Sequence, residues 1–102
     1  MALNIKTLAQ KTVTTAGTRV QITTTPLLGV EAIYLSAPAA NTGIVFIGDS
    51  SVAAGRGVEI AKGTTFTILS PKGEMLALES LYVDAATSGD KLNITYVQRA
   101  GV

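Results

Sequence analysis

Residues 88–96 read Ser88-Gly89-Asp90-Lys91-Leu92-Asn93-Ile94-Thr95-Tyr96, and this stretch decides the fold class. Leu92, Ile94 and Tyr96 alternate with Lys91, Asn93 and Thr95, so an extended chain places the apolar set on one face and the polar set on the other. Ser-Gly-Asp before it is a turn signal, because glycine supplies positive φ and aspartate bonds local backbone N–H groups. A turn followed by period-two alternation is a half-buried antiparallel strand. The pattern recurs upstream. Val20 and Ile22 oppose Arg19, Gln21 and Thr23, and Phe66 and Ile68 oppose Thr65 and Thr67. Ile44-Val45-Phe46-Ile47 is apolar on both faces and reads as a central strand or one covered by a neighbouring subunit.

Turn signals separate these runs at short intervals: Ala16-Gly17-Thr18, Pro26-Leu27-Leu28-Gly29, Pro38 to Gly43, Gly55-Arg56-Gly57, Ala61-Lys62-Gly63 and Pro71-Lys72-Gly73. Gly55-Arg56-Gly57 and Ala61-Lys62-Gly63 bracket a short strand, Val58 to Ile60. About seven to nine short strands at this spacing predict an all-β chain, a jelly-roll-like antiparallel β-sandwich. Threonine, stiff and β-branched, dominates the polar positions, as suits the wet face of a sheet. Glu74-Met75-Leu76-Ala77-Leu78-Glu79 dissents. Its helix propensity predicts a single helical turn crossing between sheets. Residues 1–11 form an N-terminal arm or edge strand, and residues 12–102 the sandwich. Leu3, Ile5 and Leu8 give the first segment a sparse apolar pattern, open to pairing within its own domain or with another chain.

Composition narrows the function. The 102 residues are 47% hydrophobic and 15% charged, with mean hydropathy +0.40, which excludes a disordered chain. Eight basic residues against seven acidic ones leave +1, too little for an electrostatic nucleic-acid surface. Histidine and cysteine are absent, which removes imidazole and thiolate catalysis, soft-metal sites and disulfides. No apolar run reaches the ~20 residues of a membrane span, and no leader pattern opens the chain. The expected reading is a non-enzyme that needs no cofactor and no metal.

Three local signals compete with that reading. Val45-Phe46-Ile47-Gly48-Asp49-Ser50 resembles the first block of the SGNH hydrolases, in which a strand delivers a Gly-Asp-Ser nucleophile. That serine needs a histidine base, and the sequence holds none. The stretch reads instead as a strand ending in a turn. Asp84 and Asp90 flank a Gly-containing loop and are a pair of candidate Ca²⁺ ligands, but they lack the spaced oxygen series of a calcium loop and read as solvated turn residues. Tyr34, Tyr82 and Tyr96 read as sheet tyrosines rather than a stacking platform.

Taken together, the motifs carry a resemblance. The chain opens with Val13-Thr14-Thr15-Ala16-Gly17-Thr18-Arg19-Val20-Gln21-Ile22. It continues through Ile33-Tyr34-Leu35 to Asn41-Thr42-Gly43-Ile44-Val45-Phe46-Ile47-Gly48-Asp49-Ser50-Ser51-Val52. Gly57 to Gly63 follows, and it closes with Leu81-Tyr82-Val83-Asp84-Ala85 and a Gly hairpin. Over residues 12–97 this resembles small virion proteins of tailed bacteriophages, of the capsid decoration (cement) type. The resemblance implies a jelly roll that forms a homotrimer on the outside of an icosahedral head, with the major capsid protein as partner and no nucleic acid or membrane bound. The alternative it implies is a receptor- or glycan-binding module of a tail or fibre. The expected capsid or subunit contacts are Leu3, Ile5 and Leu8 of the arm and Leu27 and Leu28 of the first Pro-Gly loop. Leu27 and Leu28 also read as a plug at one end of the sandwich.

Overall fold

A computed structural model describes residues 2–71 and 74–101. It contains nine strands: β1 (Leu3–Thr7), β2 (Lys11–Thr12), β3 (Val20–Gln21), β4 (Val30–Ser36), β5 (Val45–Gly48), β6 (Val58–Ile60), β7 (Thr65–Leu69), β8 (Tyr82–Ala85) and β9 (Lys91–Arg99). They form two antiparallel sheets. The larger runs β1-β9-β4-β7, with β2 continuing the β1 edge along β9, and the smaller runs β3-β8-β5-β6. The all-β sandwich is thus as the alternation predicts.

The order of pairing has a simple rule. β2 pairs with β9, β3 with β8, β4 with β7 and β5 with β6, so the chain is a nested hairpin with β5 and β6 at its tip. Rolling that hairpin adds the β4–β9 and β5–β8 contacts and throws successive pairs alternately into the two sheets. This is jelly-roll connectivity. The inward faces carry Ile33 and Leu35 of β4, Leu92, Ile94 and Tyr96 of β9, and Val45, Ile47 and Val83 of the smaller sheet, with Val13, Ile22 and Ile60 closing the core. Ile33 opposes Tyr96, and Leu35 opposes Ile94, so the two central strands stack their apolar sets on one face. The alternation read in β7 and β9 has its cause here. The run at Ile44 to Ile47 supplies β5, a central strand in which Phe46 is buried on the face opposite Val45 and Ile47.

Two expectations need correction. The helix-prone stretch Glu74–Glu79 yields only a 3-10 helix at Leu78–Ser80. Leu76 N–H donates to Val30 O at 2.8 Å, which draws the preceding residues along β4 instead of into a helix. Tertiary hydrogen bonding outweighs a propensity of a few tenths of a kcal/mol per residue. Leu78 is fully buried and does the plugging. The second correction concerns Asp84 and Asp90, which are not solvated: they are 1% and 4% exposed. Of the Pro71-Lys72-Gly73 turn, Lys72 and Gly73 lie outside the described residues.

Candidate functional site

Asp90 and Asn41 build the clamp that positions one end of the sandwich. The Asp90 carboxylate accepts Thr42 N–H and Gly43 N–H, both at 2.8 Å. Asn41 Nδ2 donates to Lys91 O at 2.8 Å, and Lys91 N–H donates to Asn41 Oδ1 at 2.9 Å. The Asn-Thr-Gly turn is therefore bolted to the start of β9. A Cβ at Gly43 would lie 2.9 Å from Thr87 Oγ1, so a larger residue there would make the Thr87 side chain shift. Asp84 Oδ1 accepts Gly17 N–H at 2.9 Å and Ala85 N–H at 2.8 Å, locking the Ala16-Gly17-Thr18 loop over the smaller sheet. Both carboxylates thus serve backbone donors of different loops, which is why they are buried. They do not meet as a cation pair, and no cluster of three or more potential ligands is present among the described residues.

The Gly48-Asp49-Ser50 stretch ends β5 in a turn. Asp49 Oδ1 accepts Ser51 N–H at 2.9 Å, and Val52 N–H reaches Asp49 O at 3.0 Å. Its aspartate is occupied locally, and Ser50 is an exposed turn residue.

The outer face of the larger sheet is different in character. Residues directly opposed across strands share a face, and the register sets Ile5 against Val97, Val97 against Ala32, and Ala32 against Leu69. One apolar row therefore crosses the sheet from edge to edge on the face away from the core. Its ends are open: Ile5 is 76% and Leu69 67% exposed. Leu3, 53% exposed, extends the row beside Arg99, whose guanidinium pairs with Glu31. The next row is Thr7, Thr95, Tyr34 and Thr67.

The same sheet has two bare edges. Among the described residues β1 pairs only with β9, and β7 only with β4, so each leaves one line of backbone N–H and C=O groups free. Both strands are five residues long, and neither contains proline. β7 carries no charge and β1 only Lys6. Edges are commonly protected by short length, proline, charge or a bulge; of the first three β7 has none, and β1 has the single charge of Lys6. The two edges run in opposite directions, because three antiparallel steps separate them.

The expected contact residues divide accordingly. Leu3 and Ile5 sit together on the exposed outer face. Leu8 is half-buried against the core and its N–H donates to Ile94 O at 3.1 Å, so it anchors the segment. Leu27 also packs against the core, whereas its neighbour Leu28 is 60% exposed. Of the expected arm, residues 2–11 are tied to β9 through β1 and β2, as an edge of the chain's own sheet, and Met1 lies outside the described residues. Leu69 and the β7 edge escaped the sequence reading, although the Thr-Phe-Thr-Ile-Leu alternation already placed Leu69 on the face opposite Phe66 and Ile68.

Beside Leu28 lies a groove of about 210 Å³ between Pro26, Leu27 and Leu28 on one side and Met75, Leu76, Ala77 and Glu79 on the other. No helix among the described residues is long and apolar enough to cross a membrane. No known family model, curated protein or solved structure matches the chain.

Proposed function

We propose that this chain is a structural virion protein, a capsid decoration protein that binds the outside of an icosahedral bacteriophage head as a homotrimer. The observation that carries the reading is the apolar row Ile5–Val97–Ala32–Leu69, exposed at both ends on a sheet whose two edge strands are five residues long, free of proline and charged only at Lys6. The resemblance over residues 12–97 supplies the location.

The edges suggest how a trimer forms. A second copy in the same orientation brings its β1 antiparallel to β7 of the first. Full overlap sets Leu69 beside Leu3 of the next copy and Thr65 beside Thr7, with outward faces kept together. Such a head-to-tail contact is heterologous, and it closes when the rotation per step divides a full turn. Three copies match a threefold position of a capsid lattice. Three equivalent contacts to the shell then act as one, because the second and third are effectively intramolecular. Preferential binding to the expanded shell stabilises that state by mass action. The work is mechanical and asks for no reacting group. Leu28 is the apolar residue left to face the shell.

Native mass measurement and co-sedimentation with heads purified without the protein test the reading. A threefold mass at high micromolar concentration and saturable head binding are expected. A chain that stays monomeric there and fails to sediment with heads overturns it.

A further inference from the structure

We propose that the groove beneath Leu28 is a receptor site for a basic side chain, lysine or arginine, of a partner protein. The walls are apolar: Leu27 and Leu28 on one side, Met75 and Leu76 on the other. Among the described residues the one ionisable group lining it is Glu79. Glu79 Oε1 is buried and has no hydrogen-bond partner among the described residues. A carboxylate oxygen removed from water without a donor is costly, and a cation beside the group offsets that cost.

The backbone that carries this carboxylate is held in place. Gln21 Nε2 donates to Glu79 O at 2.8 Å, and the 3-10 helix Leu78–Ser80 is anchored by buried Leu78. The two walls are tied together where Gly29 N–H meets Met75 Sδ at 3.1 Å and Leu76 N–H meets Val30 O.

Charge and shape exclude the other ligand classes. An anion would meet Glu79 head-on. A wholly apolar group would displace water from beside the carboxylate and supply no donor in return. A hard metal ion needs about six to eight oxygens, and a single carboxylate lines the groove. A long amphipathic cation satisfies both parts: its methylene stem lies on the leucines and the adaptable Met75, and its head reaches the carboxylate. This inference stands apart from the virion reading, because its probe is a small amino-acid derivative.

The test is a nuclear magnetic resonance titration of the full chain with the N-acetyl, N-methylamide derivatives of lysine and arginine, and with the norleucine derivative as neutral control. Saturable shifts of the Leu27, Leu28, Leu76 and Met75 methyls are expected with the basic probes and not with norleucine. Glu79→Gln should weaken binding at least tenfold, and Glu79→Asp less. Absence of saturable shifts with either basic probe overturns the proposal, as does equal response to norleucine or equal affinity in Glu79→Gln. In Lys72→Ala the affinity should be unchanged. A tenfold gain there would mean that the chain's own lysine occupies the groove, and would overturn it too.

Discussion

Introducing Leu3→Cys and Leu69→Cys together puts the subunit seam under direct test, since the chain contains no other cysteine. Within one copy the two positions sit at opposite edges of the sheet, three inter-strand steps apart. At about 4.8 Å per step that is roughly 14 Å, against the ~4.4–6.8 Å between Cα atoms that a disulfide spans. An intramolecular bridge is therefore out of reach. In the head-to-tail seam the same residues are neighbours, so oxidation joins copy to copy. A five-residue ladder adds about four or five backbone hydrogen bonds at about 0.5–1.5 kcal/mol each. Its cross-strand pairs add a few tenths to about 1 kcal/mol apiece. One such seam, about 3–12 kcal/mol in all, is of the same order as the ~4–15 kcal/mol cost of association, so open dimers should be scarce. A ring forms three seams from two associations and is the species to trap. Non-reducing electrophoresis after mild oxidation should show a product three times the 10.5 kDa chain, lost on reduction. Exclusive monomer refutes the seam. Dimers formed by Leu3→Cys alone would refute it in another way, by showing β1 paired with β1.

Three further outcomes test the fold that presents this face. Asp90→Ala deletes two charge-assisted hydrogen bonds to the Thr42 and Gly43 amides and should cost about 3 kcal/mol, with Asp90→Asn near half. Urea midpoints measure both, and a loss under about 1 kcal/mol would remove the clamp from the account. Gly57→Ala puts a Cβ 2.6 Å from Ile47 O and 2.8 Å from Val52 Cγ2 at a φ of +128°, while Gly89→Ala, at +91°, meets nothing within 4 Å. Gly89→Ala should cost about 1–2 kcal/mol from φ alone and Gly57→Ala clearly more, so thermal midpoints that fall equally would contradict the steric argument. Leu78→Ala empties a fully buried site and should cost about 2–5 kcal/mol by denaturant melt. A negligible change would mean that the 3-10 helix is peripheral to the core.

The legible part of this chain is the part in which burial alternates along a strand. In β9 and β7 the side-chain pattern and the face pattern are the same information, and Val58–Ile60 emerges as β6 because turns bracket it. β1 is illegible for the opposite reason. All five of its residues are exposed, so what places it is its backbone ladder to β9, which side chains do not encode. The two aspartates mislead because a turn-forming Asp and a loop-clamping Asp look alike until the distant amides they receive are known. Gly17 is 67 positions from Asp84, and Gly43 is 47 from Asp90. The groove at Glu79 is still further from view. It exists only because the loop before β4 and the segment after β7 converge, and helix propensity in the second segment points away from that outcome.

The asymmetry between the two sheets supports the proposed edge-to-edge contact better than any single exposed residue does. Both sheets end in edges, and edges invite pairing with other chains. In the smaller sheet the edge strands are β3, two residues long, and β6, three residues long with Glu59 at its centre. Short length and charge blunt both. The larger sheet ends in β1 and β7, each five residues long and without proline; Lys6 puts one charge on β1, and β7 has none. A chain under selection only to remain monomeric has the same reason to blunt all four edges. Leaving the long pair open, in opposite directions, with an apolar row running between them, is what a chain that adds copies edge to edge requires. The nested hairpin supplies the geometry without further cost, because it sends β5 and β6 to the smaller sheet and leaves β1 and β7 at the outer ends of the larger one.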